Sequence, residues 1–124
     1  MAVRLVICDD SSFARRSVVK ALPADVEFSV VEASNAAECL TVCRAGGVDL
    51  LFLDLTMPDV SGFEVLASLQ ADGIRFPIIV ISADVQRASQ DRARALGARA
   101  FLPKPISVDK IKVLIEHLRR EGKL

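Results

Sequence analysis

"VRLVICDDSSFARR", Val3 to Arg16, is apolar from Leu5 to Cys8 and then stops at two adjacent carboxylates, Asp9 and Asp10. A run this apolar suits a strand buried on both faces of a parallel sheet. Two like charges side by side at its tip repel. Something at that tip has to offset them.

Outward from this stretch, two periodicities alternate. Short apolar runs recur at Phe28–Val31, Leu50–Leu53, Ile78–Ile81 and Ala100–Leu102. Helical spacing lies between them: Gly62, Val65, Leu66 and Leu69 share one face, as do Val108, Ile111, Leu114, Ile115 and Leu118. Pro23, Gly46-Gly47, Pro58, Gly73, Pro77, Gly97 and Pro103 punctuate the boundaries. Five strands alternating with five helices predict right-handed crossovers and a doubly wound parallel α/β sheet covered on both faces. The runs before Asp9, at Leu50 and at Ile78 are nearly continuous apolar, which places them centrally; the more mixed "EFSVVE" and the short "ARAFL" read as edges. Residues 1–124 read as a single domain, without repeat, low-complexity tract or linker.

The composition is 52% hydrophobic and 26% charged, that of a folded chain and not a disordered one. Sixteen basic residues balance sixteen acidic ones, which argues against a domain that works chiefly on nucleic acid or an anionic membrane. No segment approaches the ~20 apolar residues of a membrane span. The N-terminus has no basic segment followed by a long apolar run, so a cytoplasmic protein is expected. Cys39 and Cys43, four apart, could face a metal together, but Ala36, Cys39, Leu40 and Cys43 form one helical stripe that reads as core.

In a doubly wound sheet, sites form outside the carboxyl ends of the strands. Here those ends carry Asp9-Asp10, Asp54 after "DLLFL", Ser82 after "PIIVI" and Lys104 just beyond the fifth strand. Three carboxylates gathered without histidine or cysteine suit a hard divalent cation, Mg²⁺ or Mn²⁺. A hydroxyl and an ammonium then suit the oxygens of a phosphoryl group. Asp54 can be a ligand and can also be a nucleophile, since carboxylates form acyl phosphates.

With "CDDSS" (Cys8–Ser12), "LDLTMPDVSGFE" (Leu53–Glu64), "ISAD" (Ile81–Asp84) and "FLPKP" (Phe101–Pro105), the chain closely resembles, from Val3 to about Leu118, the CheY-like receiver domain of two-component response regulators. The resemblance implies a flavodoxin-like strand order of 2-1-3-4-5. It also implies that Asp54 accepts a phosphoryl group from a histidine kinase or histidine phosphotransfer protein. Asp10 and Asp54 would bind Mg²⁺ directly with the Thr56 carbonyl, and Asp9 would act largely through water. Ser82 would hydrogen-bond the phosphoryl group and Lys104 would pair with it. The Lys104-Pro105 bond would be cis, aiming Lys104, and Gly62 would permit a close turn. As a switch, Ser82 would move and Phe101 would fill the vacated space. The output face would be the fourth helix, fifth strand and fifth helix, open to a downstream protein or to a phosphorylation-dependent homodimer, with no direct nucleic-acid or membrane contact.

The chain differs from many relatives in having Phe101 for tyrosine and Ser82 for threonine. Thr56 and Asp84 stand where side chains influence phosphoryl lifetime in the family. The fourth helix, about Gln86–Leu96, has a thin stripe of Ala88, Ala95 and Leu96, with Arg92 at an expected inward position. Such a helix is expected to be weakly anchored. Arg15 and Arg16 read as a solvated basic face or as a chemotaxis-type feature.

Taken together, these features describe a phosphorelay signalling domain, not an enzyme in its own right beyond taking part in its own aspartyl phosphorylation and dephosphorylation. One alternative is a degenerate receiver serving as a constitutive binding or dimerisation module. A haloacid-dehalogenase-like phosphatase would need a second aspartate where Thr56 stands. A nucleotide-binding Rossmann domain would need a glycine-rich loop where "CDDSSF" stands.

Overall fold

The computed structural model describes residues 2–124. Its elements follow one another as β1 (Val3–Cys8), α1 (Ser12–Ala21), β2 (Phe28–Ala33), α2 (Ala36–Arg44), β3 (Leu50–Asp54), α3 (Gly62–Ala71), β4 (Ile78–Ser82), α4 (Arg87–Ala95), β5 (Ala100–Pro103) and α5 (Val108–Arg120). The strands form one parallel sheet in the order β2-β1-β3-β4-β5. This is the doubly wound, CheY-like arrangement, with the apolar β1, β3 and β4 inside and β2 and β5 at the edges. All five positions of β3 and of β4 are buried, whereas β5 is half-exposed throughout.

Side chains alternate across a strand, so the sheet divides the interior in two. On one face Val6, Leu51, Leu53 and Val80 pack with α2, α3 and Ala93 of α4. On the other, Leu5, Phe52 and Ile79 pack with Val18 of α1 and with Ile111, Ile115 and Leu118 of α5. Each fully buried Leu, Ile or Phe contributes roughly 1.5–3 kcal/mol. Ala36, Cys39 and Cys43 are buried within the first layer and the cysteines are free, as the core stripe predicted. Cys39 touches Cys43, which alone would favour the thiolate, but contact with Cys8 and burial push its thiol upward; contact with Cys39 and burial do the same to Cys43. These are inert, neutral core thiols.

Helix starts are defined by side chains. Ser11, Asn35, Ser61 and Ser107 each accept a backbone amide from the first turn of α1, α2, α3 and α5. α4 departs from this pattern: Gln86 at its start makes no capping bond.

Two expected faces were wrong in detail. The inward stripe of α4 is not Ala88 and Ala95, which are exposed, but Ala93, with Leu96 half-buried behind it. Arg92 does not point inward; it is exposed and lies 4.1 Å over the ring of Phe63 on α3. Alanine and arginine give too little hydrophobic contrast for periodicity to orient the helix. On α5, Val108 is 47% exposed; it is the first residue of the helix, whose buried face begins at Ile111. With one buried residue and no side-chain cap, α4 is the least anchored of the helices.

Candidate functional site

The parallel sheet brings the carboxyl ends of β1, β3, β4 and β5 to one edge. Carboxylate oxygens of Asp9, Asp10 and Asp54 there lie within 4.8 Å of one another. Asp9 and Asp54 are 6% and 5% exposed, and Asp10 is open to solvent. Lys104 reaches across β4 to place its Nζ 3.0 Å from Asp9 Oδ2 and 3.5 Å from Asp54 Oδ1. Its backbone amide donates to the Ser82 carbonyl at 2.9 Å, continuing the β4–β5 ladder past Ser82↔Pro103. The Lys104-Pro105 bond is cis.

One ammonium does not balance three carboxylates. Burial, and then the neighbouring Asp9 charge, push the Asp54 carboxyl above the ordinary aspartate value, against the downward pull of Lys104. Burial lowers the Lys104 ammonium, but its hydrogen bond to Asp9 and the Asp54 charge more than offset this and leave it raised. It is therefore cationic across the physiological range. An all-oxygen donor set with surplus negative charge and one open member, Asp10, fits a hard divalent cation.

Lys104→Ala is expected to destabilise the metal-free protein by about 1–2 kcal/mol at neutral pH, since two nearly buried carboxylates lose their counter-charge. The Lys104 contribution is present below the ordinary lysine value. It fades when acid protonates Asp54, whose carboxyl is raised. Urea unfolding of both proteins in EDTA at neutral and acidic pH checks this; an equal loss at both pH values would refute it.

Ser82 ends β4 one residue past the Asp54↔Ile81 pair. Its Oγ accepts the Asp84 amide at 3.0 Å. Asp84 in turn accepts the Gln86 amide and, at 2.6 Å, the Ser89 hydroxyl, which holds its carboxyl below the usual range. Asp84 thus links the Ser82 hydroxyl to the first turn of α4. Phe101 is half-buried on the same face of the sheet as Ser82, since Val80 pairs Phe101 and strands alternate. Thr56 lies exposed, two residues beyond Asp54.

Gly62 starts α3 against the tip of β3. Its amide donates to the Leu55 carbonyl at 2.7 Å, and a Cβ there would sit 2.5 Å from the Asp54 carbonyl oxygen. The requirement is close approach, and not an unusual φ.

Sequence reasoning did not pick out Asp59, which binds the Ala36 and Ala37 amides at the start of α2, both at 3.0 Å. Nor did it find Met57, whose Sδ lies 3.1 Å from Cys8 Sγ. Together they tie the loop after Asp54 to β1 and α2. The acidic Asp59 opposite a helix start is a local signal only once the topology is known.

Fold and site define a doubly wound α/β protein with a divalent-cation type of carboxylate cluster at the strand ends. The chain belongs to the response regulator receiver domain family, whose model matches residues 5–116. It is 33% identical over 115 residues to the chemotaxis protein CheY of Listeria monocytogenes, covering 92% of this chain and 96% of that one. It is 30% identical over 124 residues to the response regulator MprA of Mycobacterium ulcerans, covering all of this chain and 53% of that one. In fold it is similar to a CheY-like receiver domain protein from Methanospirillum hungatei, with a TM-score of 0.87 at 22% identity over 99% of this chain and 98% of that chain. It is thus a receiver domain of two-component signalling, a family in which Mg²⁺ and aspartyl phosphate are typical. Among the described residues no helix is long and apolar enough to cross a membrane.

Proposed function

We propose that the chain is a phosphorylation-competent receiver, a single domain over residues 1–124, in which Asp54 takes a phosphoryl group from a histidine kinase or histidine phosphotransfer protein. One observation carries this reading: three carboxylates within 4.8 Å of one another share an edge with an ammonium 3.0 Å from Asp9 and 3.5 Å from Asp54. An Asp54 oxygen attacks phosphorus, the donor's P–N bond breaks, and the imidazole nitrogen keeps the electron pair. Asp10, Asp54 and the Thr56 carbonyl would hold Mg²⁺, with Asp9 acting largely through water; bound there, it would supply positive charge against the carboxylates and the phosphoryl oxygens. Lys104 pairs with one phosphoryl oxygen, and Ser82 donates its hydroxyl proton to another.

To donate, Ser82 turns away from the Asp84 amide. Asp84 also holds the start of the weakly anchored α4, so the exchange biases that helix and Phe101. A downstream protein, or a second phosphorylated copy, reads the face made by α4, β5 and α5. The balanced charge supports a protein partner over nucleic acid or membrane, and the family's usual setting supports the cytoplasm. Thr56, in place of a second aspartate, disfavours the phosphatase alternative. The complete acceptor set disfavours the degenerate receiver.

The experiment is intact mass with rapid peptide mapping after incubation with acetyl phosphate, with and without Mg²⁺. One phosphoryl adduct on the peptide containing Asp54, formed only with Mg²⁺, is expected. An adduct elsewhere, or none under rapid sampling together with no response to beryllofluoride, would support the constitutive binding module.

A further inference from the structure

Asp10 is the exposed member of the carboxylate cluster, and among the described residues none hydrogen-bonds its side chain. Asp9, by contrast, is immobilised on every side. Its amide donates to the Ala33 carbonyl at 3.0 Å, Oδ1 accepts the Ser11 amide at 2.9 Å, and Oδ2 accepts Lys104 at 3.0 Å. The remaining atom, the Asp9 carbonyl oxygen, accepts Nη1 of Arg15 at 2.8 Å. Arg15 is itself aimed, because its Nε donates to Glu32 Oε1 on β2 at 2.8 Å. The Arg15 side chain is 16% exposed, so this is not a solvated charge.

The Asp9 carbonyl and the Asp10 amide belong to one planar peptide unit. Fixing that carbonyl fixes the plane from which Asp10 departs. We infer that Arg15, oriented by Glu32, is a positioning residue for the metal site: it preorganises Asp10 by clamping the Asp9–Asp10 peptide. The inference rests on the metal-binding reading above. The fork matters as much as the charge. A guanidinium can bond Glu32 through Nε and the carbonyl through Nη1 at once, in one rigid plane, whereas a lysine ammonium has no such plane. The neighbouring Arg16 is exposed and makes no such bond, which separates the pair that looked alike in sequence.

The test is calorimetric Mg²⁺ titration of the wild-type chain, Arg15→Ala, Arg15→Lys, Glu32→Gln and Arg16→Ala, with thermal melts in EDTA beside it. Loss of a group that orients a metal ligand typically weakens metal binding about 10–100-fold. Arg15→Ala is expected near the lower end of that range, about tenfold. Arg15→Lys should recover only part of the loss, Glu32→Gln should lie between wild type and Arg15→Ala, and Arg16→Ala should match wild type. If Arg15→Ala fails to fold, Glu32→Gln, which keeps the arginine, decides the matter. Wild-type binding with Arg15→Ala or a sole surviving Glu32→Gln within twofold of it would overturn the inference alone. Equal weakening by Arg16→Ala would overturn it in favour of general electrostatics. No Mg²⁺ binding by the wild type would remove the reading beneath it.

Discussion

Asp54→Asn is expected to abolish the phosphoryl adduct and, at the same time, to raise the melting temperature of the metal-free protein. The first effect is complete, since an amide oxygen is not a carboxylate nucleophile and the acyl phosphate has nowhere to form. The second runs against the usual cost of altering a buried residue. Asp54 is nearly buried, adjoins Asp9 and shares one lysine with it. Its carboxyl is therefore raised, by burial first and by Asp9 second. A raised carboxyl means the folded state binds its proton more tightly than the unfolded chain does. The ionised form thus costs stability at neutral pH, and that cost disappears as pH falls through the raised folded value.

Asparagine removes the charge and keeps the shape. The expected gain at neutral pH is on the order of 1 kcal/mol, or roughly 3–5 °C in melting temperature. It should vanish in acid, and it should reverse in saturating Mg²⁺, which stabilises only the protein that binds it. Calorimetric melts in EDTA and in Mg²⁺ across pH check all three points. An EDTA melting temperature unchanged or lowered by the substitution would show that Lys104 already balances the cluster.

Gly62→Ala has the largest expected structural effect. Helix propensity alone would make it stabilising, by about 0.8–1 kcal/mol in a helix interior. The packing says otherwise. The new Cβ would stand 2.5 Å from the Asp54 carbonyl oxygen and 2.7 Å from Leu55 Cα, both backbone atoms that cannot rotate aside. α3 would have to lift from β3, stretching the 2.7 Å bond from Gly62 to Leu55. Overpacking of this kind costs about 1–3 kcal/mol, and the upper part of that range is expected here. Because the displaced atoms are the backbone of Asp54 itself, adduct formation should slow as well. A melt within a degree of wild type, with an unchanged phosphorylation rate, would refute both parts.

The amino-acid sequence by itself determined the element types, the strand ends and which residues gather at the edge. Short apolar runs alternate with stretches of helical spacing along the chain, and continuous apolar runs identify β1, β3 and β4 as central strands. Asp9, Asp10, Asp54, Ser82 and Lys104 were legible because each ends or directly follows a strand, and a parallel sheet sends all such ends to one edge. What only the tertiary structure decided are contacts between residues distant along the chain. Ala93 faces the core in α4 because neighbouring α3 and the sheet select it, where alanines and arginines leave the periodicity nearly flat. Arg15 is held between the Asp9 carbonyl and Glu32, seventeen residues away on β2, whereas its neighbour Arg16 is exposed. A local pattern carries burial, which is a property of one element's face. It does not carry hydrogen-bond partnership, which requires two elements already placed.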